Sequence, residues 1–281
     1  MWATLALATA LSLTPSQSGQ LELKNTRATY GILGPERKDN KVLPGDIYVV
    51  SFDIDNLTMK EDGLIRYSMG MELTREGKDR PEYKSEPQEK ETINTLGGSR
   101  LPSFARAEIG LDTKPGNYTL KVTVIDPATK TTKTLTSDFT VVPVKFGFVQ
   151  VGFFYTLGDS QTRIPPQPAP PLVVPGQTVF LNFALVGFGL EKAPKDPKRK
   201  QPNFALEATI TDDSGKPALP KPFTVTVAQP LEDSRYEQFM PFNIPIQANR
   251  PGKFKVQLKA TDKVNSKTVE LPLDLAVTEV K

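Results

Sequence analysis

The sequence predicts an all-β protein made of two antiparallel β-sandwiches in tandem. Three observations carry this. The first is a pair of copied stretches, Pro115-Gly116-Asn117-Tyr118-Thr119-Leu120-Lys121-Val122-Thr123-Val124-Ile125-Asp126 and Pro251-Gly252-Lys253-Phe254-Lys255-Val256-Gln257-Leu258-Lys259-Ala260-Thr261-Asp262. Each is a Pro-Gly turn, an aromatic, an alternation of apolar and polar residues, and a closing Asp. A period of two is the signature of a half-buried strand. The second is that other landmarks recur in the same order. Pro44 and Pro175 stand 131 positions apart, and Pro115 and Pro251 stand 136 apart. A period that long is a duplicated domain, not a solenoid repeat. The third is punctuation: 26 prolines and 19 glycines fall mostly between short strands, and no stretch reads as a helix. About seven short strands per copy with turn signals between them predict a sandwich, in which two sheets bury their alternate faces.

Taken in order, residues 21–32 alternate weakly and predict a first strand. Val42 to Asp46 is a turn feeding a strand from Ile47 to Ile54, with Tyr48, Val50, Phe52 and Ile54 on its apolar face. Leu64 to Thr74 is another, with Ile65, Tyr67, Met69, Met71 and Leu73 in step. Residues 75–100 are dense in Glu and Lys and predict a long polar hairpin excursion. Strands follow at Phe104 to Leu111, after Pro115, and at Leu135 to Val142. The second copy repeats this: Val174-Pro175-Gly176-Gln177 matches Leu43-Pro44-Gly45-Asp46, and Val179 to Phe188 matches the next strand. Thr209 to Lys216 matches Glu72 to Lys78, Phe239 to Ala248 matches the strand at Phe104, and Val269 to Val277 closes the copy. The boundary falls near Pro143, giving domains over 20–142 and 143–281.

Residues 1–19 read as a signal peptide. Trp2 to Leu13 is uncharged and rich in Ala and Leu, and Ser16-Gln17-Ser18 sets small residues where a signal peptidase reads, so cleavage is expected near Ser18 or Gly19. No Lys or Arg precedes the apolar run, a departure from the usual pattern; the alternative is a buried N-terminal element. The run is too short to span a bilayer, no later stretch is long enough, and no transmembrane segment is expected. Export without cysteine points to bacterial export, to the periplasm, cell surface or extracellular space.

The chain has 281 residues, a formal net charge of +3, and neither Cys nor His. Disulfides, thiolate chemistry, sulfur-ligated metals and every Ser-His or Cys-His nucleophile are excluded. An enzyme would have to use carboxylates, Lys, Tyr or a cofactor. The mild charge argues against a nucleic-acid binder.

The Pro-Gly-x-aromatic-x-Leu/Val-x-Val/Leu pattern with its terminal Asp resembles bacterial immunoglobulin-like modules, including the fibronectin-type and macroglobulin-type sandwiches of exported proteins. The resemblance covers both halves. It implies two tandem immunoglobulin-like antiparallel β-sandwiches and a role in binding, spacing or assembly at the cell envelope. It carries no catalytic residue. The Cys-Trp-Cys hallmark of true immunoglobulin domains is absent, the only Trp being Trp2.

Several stretches are candidate functional surfaces. Val144 to Tyr155 holds apolar residues in both registers, so both faces of that strand are expected to be buried. With Ala184 and Val186, its residues Phe146, Phe148, Phe153, Phe154 and Tyr155 pack on the first domain or on the second domain's own long loops, or form a partner or self-association surface. Ile164 to Pro171 is expected as a polyproline-II segment covering a sheet edge, with a groove ligand as the alternative. Lys192, Lys195, Lys198, Arg199 and Lys200 form a basic loop, either a solvated hairpin loop or a contact for an anionic polymer, lipid headgroup or acidic protein. Asp53 with Asp55, and Asp212 with Asp213, are carboxylate pairs with the chemistry of a partial calcium site, but nothing supplies the further ligands calcium needs. A converging glycosidase-like carboxylate pair stays open.

The expectation is therefore an exported, non-catalytic binding or structural module of the envelope, without cofactor or metal. Its partner is an envelope protein or a polysaccharide, with self-association also open. The alternatives are a carbohydrate- or anionic-polymer-binding module and a two-domain periplasmic chaperone.

Overall fold

The computed structural model describes residues 19–156 and 165–279. Residues 1–18 of the expected signal peptide, and Ile164, lie outside them. The protein is all-β; among the described residues the single helical element is a 3-10 turn over Ser234–Glu237. No helix among them is long and apolar enough to cross a membrane.

The first half contributes β1 (Glu22–Thr29), β2 (Lys41–Val42), β3 (Ile47–Asp55), β4 (Leu64–Arg75), β5 (Tyr83–Ile93), β6 (Arg100–Glu108), β7 (Gly116–Asp126) and β8 (Thr131–Val141). They form a sheet ordered β1-β3-β6 and a sheet ordered β2-β8-β7-β4-β5. The second half contributes β9 (Gly147–Tyr155), β10 (Gln167–Ala169), β11 (Leu172–Val173), β12 (Thr178–Val186), β13 (Leu190–Ala193), β14 (Asp196–Pro202), β15 (Phe204–Asp212), β16 (Phe223–Val227), β17 (Phe239–Gln247), β18 (Gly252–Asp262) and β19 (Lys267–Val277). These form sheets ordered β10-β9-β12-β17 and β11-β19-β18-β15-β16, plus the separate β13-β14 hairpin. Apart from β10 and that hairpin, the second set of orders repeats the first strand for strand.

The alternation predicts the core. Tyr48, Val50, Phe52 and Ile54 from β3 and Tyr118, Leu120, Val122 and Val124 from β7 belong to one buried cluster, confined to the first half. Leu181 and Phe183 from β12, with Phe254, Val256, Leu258 and Ala260 from β18, belong to its counterpart. The terminal Asp of each copied stretch is also buried and plays the same part twice. Asp126 accepts from the Thr58 hydroxyl at 2.7 Å, from the Thr58 amide at 3.2 Å and from the Ala128 amide at 2.9 Å. Asp262 accepts from the Gly189 amide at 2.8 Å and the Val264 amide at 3.0 Å. Each clamps the segment leaving the central strand of the opposite sheet to the turn after its own strand. Burial pushes the Asp126 carboxyl up, but the Thr58 hydroxyl and the Ala128 and Thr58 amides outweigh it and hold it below its ordinary value.

Four expectations are corrected. Residues 75–100 are not only an excursion: they contain β5, paired with β4 along its length. Its sequence hides it, because an edge strand that buries almost nothing need not alternate. The strand expected from Phe104 starts at Arg100, and Phe104 faces solvent while Ala105 and Ala107 face the core. The basic stretch, expected as a hairpin loop, is a hairpin whose arms are the strands β13 and β14, with Lys192 opposite Lys200. In the Pro-rich stretch, Gln167–Ala169 is not a polyproline helix but a short strand on β9, opposite Phe153, Phe154 and Tyr155. It covers a sheet edge as anticipated, because an edge position tolerates Pro168.

Candidate functional site

The most constrained part of the surface is the junction of the two halves, and it is organised by β9. Opposite β12, Asn182 pairs with Gly152 but Ala184 pairs with Val149, so Gln150 and Val151 together face Phe183. This is a β-bulge, with Gln150 at a φ of 52°. It explains why β9 is apolar in both registers: the extra residue keeps Phe148, Val151 and Phe153 against the second-half core, while Val149 is released to the other side. There Val149 joins Ala184 and Val186 against Leu43, with Val142 and Phe239 at the margin.

The bulge also frees an amide. Gln150 donates its backbone N–H to Asp46 Oδ1 at 2.8 Å, and its Nε2 to the Gly45 carbonyl at 2.9 Å. The same Asp46 oxygen accepts from the Ile47 amide at 2.8 Å, and Oδ2 accepts from Arg37 Nη2 at 2.8 Å. Both side chains of that ion pair are only 4% exposed. Arg37 reaches the Thr29 and Ile47 carbonyls as well, and lies 4.5 Å above the Tyr30 ring. Tyr30 in turn packs on the second-half core. Burial pushes the Tyr30 hydroxyl up, with the nearby Arg37 charge pulling the other way. The backbones are close: a Cβ on Gly187, whose φ is 65°, would sit 2.4 Å from the Lys145 carbonyl carbon. Beside this node runs a cleft of about 780 Å³, lined among others by Asp46, Glu108, Leu111, Gln150, Arg235 and Phe239.

The expected partner surface is therefore mostly interior. Phe146, Phe153, Ala184 and Val186 are buried, and Phe148, Phe154 and Tyr155 are half-buried. Phe148 and Tyr155 pack against the second-half core, and Phe154 lines a shallow depression with Asn182, Phe183 and Phe242. The basic residues divide. Lys200 pairs with Glu237 at 2.6 Å, and Arg199 donates to the Leu231 carbonyl at 2.8 Å. Lys192, Lys195 and Lys198 are exposed, and among the described residues no carboxylate lies within ion-pair distance of them.

The carboxylate pairs are held by cations and donors of the chain itself. Asp53 accepts from Asn25 at 2.7 Å, Asp55 lies 3.3 Å from Lys24, and Arg100 approaches both. Asp212 caps its own turn: the Ser214 hydroxyl, at 2.6 Å, is the first cause of its lowered pKa. No cluster of three or more metal-ligating carboxylates occurs among the described residues. Sequence reasoning missed Arg37, Asp46 and Gln150. A signal existed only for Asp46, which follows a Pro-Gly turn where the second copy has Gln177.

No family model matches the chain, and no curated protein matches it. Among solved structures, part of the chain is similar to a family 123 glycoside hydrolase from Clostridium perfringens, studied for glycolipid glycan hydrolysis. The identity is 10%, the match covers 39% of this chain and 22% of that one, and the TM-score is 0.26. A likeness at that level carries no argument about fold or activity.

Proposed function

We propose that this chain is an exported, non-catalytic binding or structural module of the cell envelope, built from two tandem immunoglobulin-like antiparallel β-sandwiches. The sandwich reading is supported by the repeated sheet orders and by Tyr118. Its hydroxyl, at the start of β7, donates to the Lys114 carbonyl four residues upstream at 2.8 Å, the bond of an immunoglobulin-type tyrosine corner. In the second copy Phe254 takes that place, and Arg250 lies 4.9 Å above its ring.

The observation that carries the functional reading is the junction. Asp46, the buried carboxylate beside the cleft, has one oxygen bonded to Gln150 of the second half and the other to Arg37 of its own half. Geometry of that kind fixes the spacing of two surfaces; it does not poise a base for proton transfer. The test has two arms. N-terminal sequencing of protein recovered from its own cells should find the chain starting near Gly19. Immobilised protein should retain a specific envelope protein or glycan and release no product from it. An uncleaved N-terminus in the cytoplasm, or turnover of the retained glycan, would sink the proposal.

A second reading, an anionic-polymer binder, is favoured by one observation: Lys192, Lys195 and Lys198 are exposed on the β13-β14 hairpin, with no carboxylate among the described residues within ion-pair distance. Retention on an acidic polysaccharide should fall as salt rises, and fall further when these three become Gln. Retention indifferent to both changes removes this reading.

A further inference from the structure

The outer edge of β6 is open for pairing. In the β3-β6 ladder Pro102 stands opposite Asp53 in an unbroken register. Proline has no N–H to give β3, so its nitrogen faces outward, as do the peptide groups of every second residue from it. The N–H and C=O groups of Phe104, Arg106 and Glu108 therefore point away from the sheet, and among the described residues no backbone group pairs with them. Three of the other edges carry obstacles. β1 is bulged between Lys24 and Arg27. β5 is crowded with Lys and Glu and holds Pro87. β17 turns Pro241 and Pro245 outward, its pairing with β12 being unbroken.

The exposed face of β6 is also self-complementary. We propose that β6 pairs antiparallel with β6 of a second copy, about a two-fold axis through Phe104, joining the two β1-β3-β6 sheets into one. In that register Phe104, which is 38% exposed, meets Phe104 of the other copy. Arg100 of one copy meets Glu108 of the other, twice over, and Arg106 stands against Pro102. Opposite charges and paired aromatics directly across an antiparallel pair are the favourable cross-strand combinations. An axis through Arg106 would set Arg against Arg, and one through Pro102 would lose the central bonds. Within one copy Arg100 is held only loosely, 3.5 Å from Asp53 and 3.8 Å from Asp55, and Glu108 is 3.4 Å from Arg106. The interface is isologous, so it closes at the dimer and does not propagate.

The inference goes beyond the envelope-module reading and does not depend on it; a protein that proves monomeric leaves that reading standing. Sedimentation velocity over a dilution series should show a dimer that dissociates on dilution. Phe104→Pro removes the phenyl ring and an outward-facing N–H but no bond to β3, and should give a monomer at every concentration with the thermal transition retained. Because the chain has no cysteine, Phe104→Cys gives an independent readout that survives even if the proline variant misfolds. A hydrogen-bonded antiparallel pair sets Cα atoms about 5.5 Å apart, within disulfide reach. Mild oxidation should therefore cross-link Phe104→Cys and leave Asn243→Cys, on the proline-guarded β17 edge, uncross-linked. A protein monomeric throughout the series, a dimer indifferent to Phe104→Pro, or equal cross-linking of the two cysteine variants overturns the proposal.

Discussion

Asp46 is the residue whose loss should cost most. Asp46→Ala would leave the Arg37 guanidinium buried without its counter-charge and release the Gln150 amide. Breaking a buried pair from one side costs about 3–5 kcal/mol, readable as an earlier onset of unfolding in urea. Tyr118→Phe should cost only about 1 kcal/mol, the net worth of one hydrogen bond, because the second copy already accommodates Phe254 at the matching position. Asp126 gives a pH signature. Its folded pKa is depressed below the ordinary 3.8. Its stabilisation is therefore fully present above that value and lost as pH falls through the folded pKa. Acid titration of the unfolding free energy should be shallower in Asp126→Asn than in the parent over that window, and equal slopes would show that Asp126 is not the titrating group.

At the scale of elements, β9 and β5 show how differently two strands can be written. β9 must serve the second-half core on one face and Leu43 on the other, and the bulge at Gln150 reconciles the two. Deleting Gln150 would restore a regular ladder with Val151 and Phe153 still facing the core, and would remove its bonds to Asp46 and Gly45; the variant should fold with a lower urea midpoint than the parent. Gly187→Ala tests the same seam from β12, since a Cβ there meets the Lys145 backbone at positive φ. A loss of about 2 kcal/mol or more is expected in chemical denaturation. β5 buries little, and its Lys and Glu residues keep a free edge from pairing. Changing Lys84, Glu86 and Lys90 to Val should leave the fold and lower solubility, measured by light scattering on concentration.

These contrasts explain what the sequence could disclose. β7 and β18 were legible because each has one buried and one wetter face, and alternation is the direct image of that environment. β5 and the β13-β14 hairpin were not, since an exposed strand is held by backbone bonds that leave no apolar pattern. β9 was legible as doubly buried, but its bulge was not, because nothing in Phe148-Val149-Gln150-Val151 announces which residue is extra. In the Arg37–Asp46–Gln150 node the bond from Gln150 to Asp46 spans 104 residues, and single residues that converge only through tertiary folding have no local signature.

On the scale of the whole molecule, the halves have separate cores but share the Leu43–Val149–Ala184–Val186 contact and the Asp46 node. They should therefore unfold in one calorimetric transition, which Asp46→Ala should resolve into two. One further property follows from a small feature common to both halves. β2 runs parallel to β8, and β11 parallel to β19, each near the entry and exit of its half. Tension along the chain would pull the two members of such a pair in opposite directions along their common axis. Their hydrogen bonds, including Val142 N–H to Val42 and Thr278 N–H to Val173, would then be sheared together instead of peeled apart one by one. Each half is latched against stretching at the place where a mechanical load would reach it.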